Sequence, residues 1–384
     1  MMKKGFVFEE VGPDEKASSD NRQVIKPGIL NRSKNNKLNK MIFFYLISLL
    51  TLVFLMILLG GLTRLTDSGL SITEWKPLTG VFPPFNETSW VNEFLKYSKT
   101  SEFKLQNINM TLQEFKVIYY WEWAHRQLGR LIGLVWFLGF FLFLVWHKVS
   151  SSWRTRFLIL GFLIGLQGFL GWWMVSSGLK NMMVDVASYR LAVHLTTAFA
   201  IFGLIFWYTL NSSRTDSDLI QSQRHSNKKL KSLISGLLYL LYIQIFLGGL
   251  VAGIDAGTTY TDWPLMGGEV FPSLAFEFSP VWINFLESEA LVQFNHRIVG
   301  YVIAILTFYI WLKSRHSGSK KLRFLYTMTL IALFLQILLG VITVRYASPW
   351  QLAIFHQFGA IVLVSILLRS RFETMFPSIQ SVRR

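Results

Sequence analysis

Long apolar stretches separated by short polar connections dominate the chain. A transmembrane helix needs about 20 mostly apolar residues, and eight stretches reach that length. They predict eight transmembrane helices, at about 41–62, 118–146, 157–176, 190–210, 232–253, 291–312, 324–344 and 352–368. The pattern therefore predicts an all-α membrane protein whose first 40 residues form a polar tail.

The composition agrees with a membrane protein and limits its chemistry. Hydrophobic residues make up 52% of the chain and charged residues only 16%, whereas a soluble domain carries about 25% charge. This balance excludes a disordered chain and argues against a soluble enzyme. Because the sequence contains no cysteine, it can form neither a disulfide nor an iron–sulfur cluster. Any metal must be bound by histidine, carboxylate or methionine.

The distribution of basic residues predicts the orientation in the membrane. The net charge of +16 comes from short clusters between apolar stretches, which are typical of topology signals rather than of nucleic-acid binding. Residues 254–290 contain no Lys or Arg, whereas both termini are basic. We therefore expect both termini on the cytoplasmic or matrix side, and the loops 63–117 and 254–290 on the outer side. Glu9 and Glu10 argue against a transit peptide, which favours a bacterial inner membrane over the mitochondrial inner membrane.

The chain contains two copies of one unit. Gly60 and Asp67 match Gly248 and Asp255 at a constant spacing of 188 residues. Three further blocks recur in the same order: AHRQLG and NHRIVG, QGFLG and QILLG, RLAVH and QLAIFH. Four matching blocks in one order indicate an internal repeat.

The repeat predicts the architecture. Each copy holds four predicted spans, so both copies have the same orientation and their symmetry axis lies along the membrane normal. We expect two tandem four-helix bundles related by a pseudo-two-fold axis, over 41–210 and 232–369. An inside linker, 211–231, joins them, and a basic tail, 370–384, follows.

Four histidines lie near the outer ends of the even-numbered spans, and each matches its counterpart in the repeat. Helix bundles bind cofactors between facing side chains, and heme iron takes axial imidazoles. The functional interpretation is therefore one heme in each bundle, bound by His125 with His194 and by His296 with His356. The alternative is that each histidine is buried and hydrogen-bonded across helices. The other three histidines, at basic span ends or in inside loops, are expected to be interfacial or solvated: His147, His225 and His316.

One carboxylate breaks the repeat. Glu122 lies three residues before His125, so both side chains share a helix face, and Gln293 replaces it in the second copy. A carboxylate there can act as a base, as a proton carrier or as a stabiliser of positive charge. We therefore assign chemistry to the first bundle and a permanently bound heme to the second. The alternative is an ion pair of Glu122 with Arg126 or Arg130.

The loops that follow the first span of each copy offer further candidates. Asp67 and Asp255 are expected to be turn residues or contacts to heme propionates or protons. Arg64 aligns with Ala252 in the second copy, which makes Arg64 a candidate partner for a propionate of the first-site ligand.

Together these motifs resemble a known family. GGLTRLTDSGLSITEWKPLTGVFPP, EWAHRQLGRLIG, GLQGFLGWWMVSSGL, YRLAVHL and FNHRIVGY are similar to motifs of the heme A synthases, in the branch of mitochondria and many proteobacteria. The resemblance runs from about Leu58 to Leu367. Some members of the family have a cysteine pair in an outer loop, and this chain has none, so a thiol-based step in that loop is excluded.

The resemblance implies a reaction and a division of labour. It implies that a methyl group of heme O is oxidised to a formyl group through successive hydroxylations, which gives heme A for terminal oxidases. It implies that Glu122, His125 and His194 form the substrate site, and that His296 and His356 bind a b-type heme.

The implied partners follow from this reaction. They are heme O and heme A, membrane lipid, a heme O synthase, an electron donor, oxidase assembly factors and a second copy of the chain, with no nucleic acid. A di-heme b-type cytochrome that only transfers electrons is the alternative function. A transporter built from two repeats is disfavoured, because such proteins use broken helices and the prolines here lie in loops.

Overall fold

A computed structural model describes residues 29–76, 79–146, 149–179 and 183–378, with side chains from residue 37 onward. Within these residues the chain is helical apart from loops and one isolated β-bridge, between Met266 and Glu269. Among the described residues, eight helices are long and apolar enough to cross a membrane. The prediction of an all-α membrane protein with eight spans is therefore confirmed.

The helices of the described residues are as follows. They are α1 (Ile29–Leu65), α2 (Glu87–Tyr97), α3 (Ser101–Leu105), α4 (Leu112–Val145), α5 (Ser151–Gly178), α6 (Ser188–Ser212), α7 (Asp216–Gln223), α8 (Lys228–Gly253), α9 (Asn284–Glu287), α10 (Glu289–Arg315), α11 (Lys320–Arg345) and α12 (Trp350–Met375). The eight candidate spans are α1 from Lys37 onward, α4, α5, α6, α8, α10, α11 and α12. Each predicted span lies almost entirely inside one of them.

The predicted ends of two tails differ from the structure. Helix α1 begins at Ile29, inside the segment predicted as the tail 1–40, and α12 continues to Met375, past the predicted boundary at 370. The sequence pattern marks only the apolar part of a helix, whereas backbone hydrogen bonds continue the helix through polar residues on either side. The rest of the two tails, 1–28 and 379–384, lies outside the described residues.

The long helices contact one another in two similar sets. In the first set, α1 and α5 each contact both α4 and α6. In the second set, α8 and α11 each contact both α10 and α12. We call these groups the first helix set (α1, α4, α5, α6) and the second helix set (α8, α10, α11, α12). These contacts are compatible with two four-helix bundles, and the pseudo-two-fold relation between them stays a prediction.

The two sets meet through four inner helices, α1, α6, α8 and α12. Small residues allow α6 and α8 to approach closely. A Cβ added to Gly249 would lie 2.7 Å from Cα of Ala192, and one added to Gly253 would lie 2.7 Å from Cα of Ser188. Small residues at such crossings are typical of helix association in membranes. The main apolar core contains buried residues of all eight long helices, most of them from these four.

One buried carboxylate joins three helices at the side of the molecule where α12 ends. Glu373 is 1% exposed and forms ion pairs with Lys321 at 2.7 Å, Arg369 at 2.8 Å and Arg214 at 3.3 Å. Arg214 also donates to the carbonyl of Phe376 at 2.7 Å. These groups connect the end of α6 and the start of α11 to α12.

Candidate functional site

The four histidines singled out from the sequence lie on α4, α6, α10 and α12, and all are partly buried. His125 and His194 belong to the first helix set and are close enough for a charge on one imidazole to act on the other. The same holds for His296 and His356 in the second helix set. Each predicted pair of histidines thus lies within one helix set, and the binding of one heme by each pair stays a prediction.

A glycine of a neighbouring helix lies against each of these imidazole rings. A Cβ added to Gly60 would lie 2.9 Å from Cε1 of His125, and one added to Gly171 would lie 3.1 Å from Cε1 of His194. In the second helix set the corresponding distances are 3.2 Å for Gly248 with His296 and 2.9 Å for Gly340 with His356. The four glycines also match in the repeat. Because a side chain at these positions would displace the ring, the glycines fix where each imidazole can lie.

Glutamines bind three of the four histidine backbones. Gln167 donates to the carbonyl of His194 at 2.9 Å, and its repeat counterpart Gln336 donates to the carbonyl of His356 at 2.8 Å. Both glutamines occur in matching blocks of the repeat, although the sequence alone gave them no role.

A third glutamine has no counterpart in the repeat. Gln244 donates to the carbonyl of His296 at 2.9 Å, and its amide nitrogen is 3.2 Å from Nε2 of the same ring. Met56 occupies the aligned position in the first helix set, where its terminal methyl would lie 3.2 Å from a Cβ at Gly129. The difference is visible when the two copies are aligned residue by residue, but neither side chain is titratable, so the candidate residues from the sequence include neither.

Glu122 is buried, 3% exposed, and holds the loop that follows α1 against α4. Its Oε2 accepts hydrogen bonds from the Ser71 hydroxyl at 2.7 Å and from the Ile72 amide at 2.6 Å. Its Oε1 accepts from Nε of Arg126 at 3.0 Å and from Nη2 at 2.6 Å. We call this group the first loop contact. The structure therefore contains the ion pair with Arg126 that the sequence left as an alternative.

The second loop contact has the same place in the repeat and the opposite hydrogen-bond direction. Gln293, 3% exposed, donates through Nε2 to the carbonyls of Ala256 at 2.9 Å and of Tyr260 at 3.1 Å. Arg297 donates to Oε1 of Gln293 at 3.0 Å and to the carbonyl of Tyr260 at 3.0 Å. Arg126 likewise donates to the carbonyl of Ile72 at 2.8 Å. Each arginine thus repeats its role, and only the first contact contains a carboxylate.

Arg130, the other basic candidate beside Glu122, binds the loop rather than the carboxylate. Its Nη2 donates to the carbonyl of Lys76 at 2.7 Å. Gln127, on the same helix, donates to the carbonyl of Gly80 at 2.9 Å. Together with Arg126 these side chains fasten the segment that follows α1 to α4.

Arg64 joins the two repeats at the opposite side from Glu373. It donates to Asp67 and to Asp255 at 2.8 Å each, and its Nη1 is 3.8 Å from Asp185. Asp67 and Asp255 both have positive φ, 46° and 53°, which agrees with their expected role in turns. Burial raises the pKa of Asp67 and that of Asp185, with Arg64 opposing the rise in both. Arg64 therefore forms ion pairs with aspartates of both copies of the repeat.

The residues present fit a heme in each helix set better than a metal ion bound by side chains alone. Among the described residues, no three His, Asp or Glu side chains lie close enough to form a metal site. Each set instead offers two imidazoles from different helices, which is the donor set of a bis-histidine heme. The Nδ1 atoms of His125, His194 and His296 are buried, with no hydrogen-bond partner among the described residues. The four close glycines leave room for the imidazole rings beside the neighbouring helix backbones.

Comparisons with known proteins agree with this arrangement. The sequence model of a family described as "Cytochrome oxidase assembly protein" matches residues 43–368. The chain is 49% identical to a protein of Roseobacter denitrificans named "Heme A synthase", over 100% of both chains. It is 49% identical to a protein of the same name from Dinoroseobacter shibae, over 100% of this chain and 99% of that one. A "Heme A synthase" of Paracoccus denitrificans is 50% identical over 88% of this chain and 89% of its own.

Proposed function

The chain belongs to the heme A synthase family of cytochrome oxidase assembly proteins, and we propose that its two helix sets divide the reaction between them. It is a multi-pass membrane oxidoreductase that acts on heme O. Its reaction oxidises a methyl group of heme O to a formyl group, through successive hydroxylations, and gives heme A. In the proposal, the first helix set binds heme O and the second binds a b-type heme.

The proposed division of the reaction between the two helix sets rests on the difference between the two loop contacts. Both helix sets offer a histidine pair against two glycines, so both suit a heme. Among the described residues, only the first set also has a buried carboxylate on the same helix face as its histidine, Glu122 beside His125. A site that only transfers electrons needs no such charge, whereas a site where positive charge develops on a substrate gains from one.

The first helix set binds and orients the substrate in this proposal. His125 and His194 hold the iron of heme O, and Gly60 and Gly171 fix the two imidazole rings. Glu122 accepts four hydrogen bonds, which suits a carboxylate because an ionised carboxylate is an acceptor only. Of the three roles considered from the sequence, this network favours a fixed negative charge over a mobile base.

The second helix set holds the resident cofactor in this proposal. His296 and His356 would hold it, and a b-type heme bound there would supply one-electron transfer. Gln244 and Gln336 fix the backbones of the two ligands, and the neutral Gln293 leaves the surroundings of His296 without a buried carboxylate at that position. This set is therefore suited to a heme that is not modified.

We further propose that the chain's termini face the cytoplasm or matrix. The connections between α6 and α8 and between α10 and α11 carry the basic residues that the positive-inside rule places there. The Glu373 group, with its three cations, lies on that side, and the Arg64 group, with its three carboxylates, lies on the other.

The test is the chemical identity of the hemes made by a host that produces heme O but no heme A. Cells expressing the chain are extracted, and the hemes are separated by chromatography. We expect heme A and its hydroxylated precursor, and we expect heme B to stay with the purified protein. If only unmodified hemes are recovered, the chain is an electron carrier of the alternative class, and the assignment of chemistry to the first set is wrong. His225→Ala, at an exposed position outside the spans, serves as the control variant.

A further inference from the structure

The loop that joins α8 to α10, residues 254–288, exposes large apolar side chains although it lies outside the long apolar helices. Six of them are between 47% and 82% exposed. We call these six residues the loop patch: Val270, Phe271, Leu274, Phe276, Val281 and Trp282. An exposed apolar patch of this kind marks a contact with another protein or with a membrane.

Hydrogen bonds of a buried side chain fix the backbone beneath the loop patch. Asn284 is fully buried, and its Oδ1 accepts from the amide of Phe278 at 2.8 Å. Its Nδ2 donates to the carbonyls of Phe278 at 2.7 Å and of Val281 at 3.0 Å. The Ser288 hydroxyl donates to the carbonyl of Leu274 at 3.3 Å, which ties the loop to the start of α10. The apolar side chains are therefore presented by a hydrogen-bonded turn.

The loop patch packs onto the face of α10 that lies opposite His296. The ring of Phe271 contacts that of Phe294, with 5.0 Å between the centroids. At about 100° per residue, Phe294 points away from His296, two residues further along the helix. The same face carries exposed apolar residues along the span: Ile298, Tyr301, Val302, Ile305, Phe308 and Leu312. Because α10 is long and apolar enough to cross a membrane, this face lies against lipid.

The length of this face of α10 gives the height of the loop patch in the membrane. From Phe294 to Leu312 the face is about 27 Å long at 1.5 Å per residue, close to the ~30 Å thickness of the hydrocarbon core. Phe294 therefore lies near one boundary between hydrocarbon and headgroups, and the loop patch packed on it lies at the same level. Aromatic side chains are enriched at this boundary.

The charge of the loop indicates which lipid it suits. Residues 254–290 contain no Lys or Arg, and their acidic residues are Asp255, Asp262, Glu269, Glu277, Glu287 and Glu289. Such a segment offers no cation to an anionic headgroup, so its attraction to a membrane comes from the burial of apolar surface. This chemistry fits a zwitterionic lipid surface better than an anionic one.

From this placement we propose that the loop patch inserts into the headgroup region of the bilayer and contacts zwitterionic lipid beside α10. Lipid is favoured over a second protein because the patch continues the face of α10 that lipid already covers. The insertion anchors the loop whose carbonyls at Ala256 and Tyr260 bind Gln293. It needs no heme and is independent of the proposed division of the reaction.

Single spin labels measure the depth of the loop patch, because the chain has no cysteine of its own. Val281→Cys is labelled with a nitroxide, and the purified protein is placed in phosphatidylcholine nanodiscs with one copy in each. Two matched variants give reference values. They are Ile305→Cys, 71% exposed on the lipid side of α10, and Thr258→Cys, exposed in the same loop near Asp255. Collisions of the label are measured with oxygen, which concentrates in the bilayer, and with a water-soluble nickel chelate.

We expect the label at Val281 to collide more with oxygen and less with the chelate than the label at Thr258, shifted toward the values at Ile305. The shift should be the same at low and high salt, because apolar burial is not screened by ions. Values equal to those at Thr258 would place the loop patch in water and overturn the proposal. It would also be wrong if, in vesicles, the label at Val281 shows spin–spin broadening that dilution with unlabelled protein removes, because a second copy then covers the patch.

A charge placed in the loop patch gives an independent check. When Trp282→Glu is added to Val281→Cys, collisions with the chelate should rise toward those at Thr258, because an ionised side chain is costly to remove from water. Trp282→Phe is the matched control and should keep these collisions low. If the two substitutions have the same effect, apolar burial does not hold the loop at the membrane and the proposal fails.

Discussion

The two loop contacts show that two corresponding loops of the repeat can be held in electrically different ways. In the first, the Glu122 carboxylate accepts from the Ile72 amide and the Ser71 hydroxyl. In the second, the Gln293 amide donates to the carbonyls of Ala256 and Tyr260. Both contacts keep an arginine in the same place. Since a neutral residue is sufficient to hold the loop, the charge of Glu122 is not required by the fold, which makes it the part of the first site that structure alone does not explain.

The largest effect is expected from removing one histidine of each pair. His194→Ala should abolish heme A formation and leave the b-type heme in place, whereas His296→Ala should remove the b-type heme, because each ring is held by the helices of its own set. Heme content per protein and the absorbance spectrum of the purified variants test this. If either variant loses both hemes, the two helix sets are not independent sites.

The next largest effect is expected when Glu122 of the first loop contact is replaced by glutamine, the neutral residue of the second loop contact. Glu122→Gln should lower heme A formation about 100-fold, a typical contribution of one electrostatic group in a buried site. It should also destabilise the protein by about 1–3 kcal/mol, because the amide cannot accept all four hydrogen bonds. Product analysis and thermal unfolding separate the two effects. Full conversion of heme O by this variant would end the catalytic assignment of Glu122.

A smaller effect is expected where glycine touches a ligand ring. In Gly60→Ala the added Cβ would lie 2.9 Å from the His125 ring, and overpacking of this kind costs about 1–3 kcal/mol. We expect heme O binding to weaken about tenfold, which corresponds to 1.4 kcal/mol, with the b-type heme unaffected. Binding is measured by titration of the purified protein. Gly133→Ala, on α4 with nothing within 4 Å of the added carbon, is the control and should bind heme O normally.

The smallest effect is expected at Gln244, whose counterpart in the first copy of the repeat is Met56. Gln244→Met should lower the stability of the second helix set by about 1 kcal/mol, the net value of one hydrogen bond. The thermal midpoint of heme loss, followed by absorbance, should fall by a few degrees for the b-type heme alone. Equal stability of variant and wild type would mean that the bond between Gln244 and the His296 carbonyl contributes nothing measurable.

The sequence predicted the features that follow from hydropathy and from the repeat. The eight spans follow because a spanning helix must be long and apolar, and His125, His194, His296 and His356 are recognised because they recur at matching positions within spans. The two pairs could also be predicted, since each copy of the repeat contributes two of them.

The sequence did not predict features that depend on contacts between distant segments. Ser71 and Ile72 are about fifty residues from Glu122 in the chain, and no local pattern marks them as its partners. The glycines against the four rings were visible as matches in the repeat, but only the packing of neighbouring helices gives them a function.

The charged groups at the two ends of the inner helices have an electrical consequence. At full ionisation, the Arg64 group carries one positive and three negative charges, and the Glu373 group carries three positive and one negative. Moving one charge across a potential of 100 mV is worth about 2.3 kcal/mol. With the termini inside, as proposed, both groups lie where the potential of an energised membrane favours them, so the resting voltage itself contributes to holding the protein in that orientation.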